Sequence, residues 1–205
     1  LSDIAATAGG APDAPETGKN PNPQGKGLVP MLRDWQSVQP AVRGQKSAAD
    51  FLRDYCVSSL VLGAQFRFKP VVGVTYFLYS AGQDWMLSLV GPQEWGQRMP
   101  GEYLAMCRLR PDMTWEMEAA ALDAHSPALE RARQFIRGFV DMLAAQESIA
   151  EHLPFYAREL PYYQRLLATA LASSLQRSLP HTGDDMRALL AAQPGPVAID
   201  WAGAR

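Results

Sequence analysis

The sequence predicts an α+β fold: an antiparallel β-meander of about four strands, covered by a helix and followed by a C-terminal helical layer. Three observations carry that reading. Apolar residues recur near helical spacing from Ser47 to Phe66, alternate with a period of two between Val71 and Met117, and return to helical spacing after His125. Short strands in series need a helix against one face, and the helix just before them is the nearest candidate.

Residues 1–46 read as a disordered or extended arm. The first 27 are rich in Gly, Pro, Ala and Asn and show no apolar period, so burial cannot offset their ordering entropy. From Lys19 to Lys46 there are five basic residues against one acid, Asp34, with Leu28, Val29, Met31, Leu32 and Trp35 as apolar anchors. Such a segment either lies across its own domain or docks on a partner.

Residues 47–117 form the helix and β-meander core. Ser47, with Asp50 three positions on, suits a helix start, and Phe51, Leu52, Tyr55, Cys56, Leu62 and Phe66 form one apolar face. The helix frays near Gly63, and Pro70 stops any continuation. "GVTYFLY" is a strand by its β-branched and aromatic content, "SAGQD" is turn chemistry with Gly82 free to take positive φ, and "WMLSLV" returns as a hairpin with a longer loop. "EYLAMCRLR" sets Cys107 and Leu109 on one side and Arg108 and Arg110 on the other. Pro111 and Asp112 then turn the chain into "MTWEM".

Residues 118–193 are the helical layer. Ser126 caps a helix with Pro127 at its first position, and Leu129, Ala132, Ile136, Phe139 and Leu143 form its stripe. Pro154 and Pro161 divide the chain, a second stripe runs through Leu167, Leu171 and Leu175, and "DDMRALLAA" makes a shorter helix. In the tail, residues 194–205, Val197, Ile199 and Trp201 alternate in a way that suits a sheet edge.

Composition narrows the function classes. Apolar residues at 47% and charged residues at 20% fit a globular chain, and a net charge of −2 supplies no field to draw in a phosphate backbone. No apolar run approaches the ~20 residues of a membrane span. The first residues lack the basic start and apolar centre of a secretory signal, so the cytoplasm is the expected compartment. Cys56 and Cys107, far apart in apolar contexts, read as buried thiols.

Catalytic signals are thin. There is no G-x-S-x-G turn, and His125, His152 and His181 are too scattered for a metal site, so neither metal nor cofactor is expected. "GKNPNPQGKG" superficially resembles a phosphate loop but follows no strand. Glu94, Glu102 and Asp112, all near strand ends, are the acid–base candidates. Structural duties compete for two of them: Asp112 stabilises its own turn, and Glu94 sits in a helical turn after Pro92.

Aromatic residues are the strongest local feature. Tyr76, Phe77, Tyr79, Trp85, Trp95, Tyr103 and Trp115 fall within forty positions, which suits a core with a few rings left to line a groove. Between Phe66 and Glu116 five basic and five acidic residues cancel, which again disfavours nucleic acid.

The pattern Lys69-Pro70, Gly73, Tyr76, Leu78-Tyr79, Ser88, Pro92, Glu94-Trp95-Gly96 and Asp112 to Trp115 resembles a bacterial family catalogued as domain of unknown function 2452, which has small uncharacterised eukaryotic relatives. The resemblance covers roughly residues 20–117 and implies no activity, cofactor or catalytic residue. It suits a fixed corner that packs Trp95 onto the sheet, and equally a loop that grips a ligand.

The sequence thus supports a non-enzymatic binding or adaptor protein with Lys69, Tyr79, Trp95 and Trp115 as its surface and the arm around Trp35 as a second contact. A protein or peptide partner is favoured over nucleic acid, and no membrane is expected. One alternative is a small-molecule enzyme using Glu94, Asp112 and Glu102, which needs two of them in one pocket. Another is a structural homodimer through the stripes at Ile136 and Leu171.

Overall fold

The structure, a computed structural model, describes residues 28–123, 125–145, 148, 153, 160–181 and 185–192. Helix α1 (Leu28–Ser37) is followed by an extended strap and then by α2 (Ala48–Leu62). Strands β1 (Thr75–Ala81) and β2 (Asp84–Ser88) lead into the short helix α3 (Pro92–Trp95) and a 3-10 turn at Gly96–Arg98. Strands β3 (Glu102–Leu109) and β4 (Trp115–Ala119) complete the sheet, and helices α4 (Pro127–Ala144), α5 (Tyr162–Arg177) and α6 (Met186–Ala191) follow. The expected tail at 194–205 lies outside the described residues, as do His152 and Pro154.

Helix α2 is the centre of the molecule. Ser47 accepts a hydrogen bond from the Asp50 amide and so caps its start. A helix buried over most of its surface belongs between layers, and α2, exposed at Asp50 and Arg53, packs against β4 as well as against α4 and α5. Polar groups on its buried surface are all engaged. Ser58 Oγ accepts the Trp115 amide at 2.9 Å, tying the helix to the first residue of β4. At the far end, the buried Gln164 amide of α5 donates to the carbonyls of Leu62 and Ala64, which satisfies acceptors that a helix terminus leaves open.

The four antiparallel strands expected from the period of two are present, in the order β2-β1-β3-β4. Consecutive strands pair except at one step, where β3 returns beside β1 and places β1 inside the sheet. The β1–β2 hairpin is tighter than expected: Ala81 pairs with Asp84 across Gly82 and Gln83, with Gly82 at φ +63°. At the other crossing, Gly101 lies so close to Ser80 that a Cβ there would stand 1.7 Å from the Ser80 carbonyl oxygen. Only glycine lets the chain slip past the end of β1 to begin β3.

The arm expected over residues 1–46 is, from residue 28 onward, a helix and a strap packed on the core. Asp34 is buried and takes Lys69 Nζ at 2.6 Å and the Tyr162 hydroxyl at 3.1 Å. Further along, the Ala41 amide donates to Pro111 O and the Lys46 amide to Ser178 O. Val38 is buried, and Trp35 packs half-buried against the core.

Candidate functional site

The corner at residues 90–96 is built around one carbonyl. The Tyr79 hydroxyl donates to Val90 O at 2.9 Å and the Trp95 indole N–H donates to it at 3.2 Å, so both lone pairs are occupied. Burial pushes the Tyr79 phenol up, which keeps its proton in place to donate. Glu94 turns back to accept the Gly91 amide at 2.8 Å, and Ser88 Oγ accepts the Val90 amide at 3.0 Å. Proline at the first helical position, glutamate at the third and the indole at the fourth make a fixed turn that seats Trp95 edge-on against Tyr79, with ring centroids 6.2 Å apart. Tyr79 in turn packs on Tyr103, and Tyr103 on Phe77.

Beside this corner a cleft opens. Gln65 pairs with the outer edge of β2: its amide donates to Trp85 O at 2.7 Å, and its carbonyl accepts from Leu87 at 3.1 Å. In an extended strand both backbone groups of a residue point the same way, so the Leu87 carbonyl also faces this edge. Among the described residues no backbone bond joins Arg67 to Leu87 or Leu89, and the two segments part after a single rung. The space between them is about 330 Å³, lined by Phe66, Arg67, Phe68, Met86, Leu89 and Trp95 among others. Leu89 is 54% exposed, and Trp95 is only partly covered.

A second cluster lies at the β3–β4 turn. Lys46 Nζ bridges Asp54 at 2.6 Å and Asp112 at 2.7 Å, and Arg110 donates to the other oxygen of Asp54. Thr114 supplies its amide and hydroxyl to Asp112, at 3.1 and 2.6 Å. Burial alone would raise the Asp112 carboxyl, but the bonds from Lys46 and Thr114 outweigh it and hold its pKa below the ordinary value. The turn has the three-residue form in which Met113 takes φ +64°, a left-handed conformation held by the burial of its side chain.

The residues singled out by sequence are thus sorted. Tyr79, 0% exposed, and Trp115, 1% exposed, are core rings and offer no face to a partner; this corrects their assignment to a surface. Trp115 is enclosed because it meets Tyr76 edge-on beneath α2, at 5.7 Å. Lys69 is held by Asp34 and joins the arm to the domain. Trp95 and Trp35 keep partly open faces. The acids do not converge. Glu94 holds Gly91, and Glu102 pairs with Ser80 at the start of β3, whose eight residues set it roughly 20 Å from the turn that holds Asp112. The pocket required by the enzyme alternative is therefore not formed by these three. Ile136 and Leu171 are buried in the chain's own core, so their stripes face α2 and its neighbours and offer no dimer surface.

Lys46 and Asp54 are the charged pair that motif reading missed. A signal existed: Asp54 and Ser58 stand one turn apart among the apolar residues Tyr55, Cys56 and Val57, and acids at core positions are paired. Among the described residues no group of His, Cys, Asp and Glu is placed to hold a metal ion, and no helix is long and apolar enough to cross a membrane.

No curated protein and no solved structure matches the chain. The resemblance seen in the sequence stops at Met117, whereas the region matched by a family model begins later and runs on into α4. Residues 43–138, which take in α2, the corner and all four strands and amount to a little under half of the chain's length, match the model of the family described as Protein of unknown function (DUF2452).

Proposed function

We propose that the protein is a non-enzymatic binding module that takes an extended peptide with an apolar anchor residue into the cleft between Arg67 and β2. The single observation that carries this reading is the one-rung ladder. It leaves the Leu87 carbonyl at an open edge, with Leu89 exposed above it and the Trp95 ring at one end. Peptides that extend a sheet gain affinity from main-chain bonds and specificity from alternate side chains that enter apolar niches. A cleft of about 330 Å³ has room for such a side chain. Arg67 at the rim favours an acidic neighbour to the anchor. Trp95 is the recognition residue that remains from the aromatic surface, since its indole N–H is already held by Val90 and its ring is fixed before a ligand arrives.

Selection of a displayed peptide library against the protein tests this. The expected result is a consensus with one apolar anchor whose binding weakens about tenfold or more in Trp95→Ala and in Leu89→Asp. The second variant changes an exposed side chain and leaves the corner intact. Failure to enrich any consensus, or equal binding by Leu89→Asp, would end this reading.

A further inference from the structure

The strap at residues 41–46 and the turn at 110–112 enclose a second concavity, of about 480 Å³, on the far side of the sheet from β2. Its walls carry Arg43, Lys46 and Arg110 against a single lining carboxylate, Asp112. With Asp54 beneath them counted, three cations meet two carboxylates, so the site is positive within a chain of net charge −2. The charges are unevenly engaged. Lys46 and Arg110 hold the two acids, while Arg43 is exposed and has no partner among the described residues. Arg110 still has unused guanidinium donors, among them a buried Nε that makes no hydrogen bond and lies 4.0 Å from Asp112. Along the strap, the amides of Ala41 and Lys46 are bonded, whereas those from Val42 to Gln45 make no backbone hydrogen bond among the described residues.

We infer that this concavity binds a small oxyanion ligand, its phosphate or carboxylate group held by Arg43 and Arg110 and by the strap amides between them. Guanidinium groups suit such a head group because their planar donors match two oxygens at once. Lys46, fixed by its two carboxylates, contributes field. The engaged acids serve to hold the cations in place, which is what an anion site needs if it is to exist before the anion arrives. The surplus of one positive charge limits the ligand to modest affinity unless the rest of the molecule fills the remaining volume.

The test is a titration of the full chain at low ionic strength with inorganic phosphate, and separately with citrate, followed by amide chemical shifts. The expected result is a saturable shift at Gly44 and Gln45, weakened about tenfold in Arg43→Ala and also weakened in Arg110→Lys, which keeps the charge and loses the fork. Arg43 is exposed and unpaired, so the remaining spectrum of Arg43→Ala serves as its own fold control. The phosphate and citrate arms decide which head group is preferred. A linear shift that sodium chloride reproduces, or a saturable one undiminished in Arg43→Ala, would mean screening or an adventitious ion only and would overturn the assignment.

Discussion

At the scale of single residues, two acceptors organise the chemistry of the fold. The Val90 carbonyl gathers a phenol and an indole, and the Asp112 carboxylate gathers Lys46 and Thr114. The second has a pH consequence. Because the folded pKa of Asp112 is lowered from its ordinary 3.8, its stabilisation is complete above that value and disappears as pH falls through the folded pKa. Asp112→Asn should therefore cost about 1–2 kcal/mol at neutral pH. The gap to the wild type should close in strongly acidic buffer. Urea unfolding at both pH values checks this, and a gap independent of pH would contradict it. The structural duties of Glu94 and Asp112 were legible in the sequence because each bonds within three residues of itself. The burial of Tyr79 and Trp115 was not, since nothing local tells a ring under a helix from one at a rim.

At the scale of elements, period alone placed the strands and the main helices within a few residues. Strand order was less accessible, because alternation says which face a residue takes and nothing about which neighbour its strand finds. The deciding feature is Gly101, whose missing side chain lets β3 start against the end of β1. Gly101→Ala should lower stability by about 3 kcal/mol, since the clash is with backbone and neither partner can rotate away. Thermal unfolding of the variant measures it; a loss below about 1 kcal/mol would mean that β1 and β3 can part there without penalty. The charged cluster at the β3–β4 turn was hidden for a related reason. Arg110 and Asp54 are 56 residues apart in the chain, and only the packing of α2 on β4 joins them.

At the scale of the whole molecule, the two thiols report on the core. Cys56 lies on α2 and Cys107 on β3, both fully enclosed. Burial pushes Cys56 up to about 12 and raises Cys107 as well, so neither is a thiolate near neutrality. Both should resist iodoacetamide in the native state and become reactive together, at a rate set by opening of the entire core. Mass spectrometry after timed labelling reads this directly, and faster modification of one thiol would reveal that α2 and the sheet open independently.

Helix α1 and the strap also have a history written into their bonds. Asp34 reaches a hydroxyl 128 positions ahead, and Arg177 reaches back 137 positions to the Pro40 carbonyl. On the ribosome, these residues must wait for more than a hundred further positions to be made before α5 emerges to clasp them. Until then, Asp34 lacks the Tyr162 hydroxyl that holds it, and this end of the arm is open to any factor that attends the nascent polypeptide.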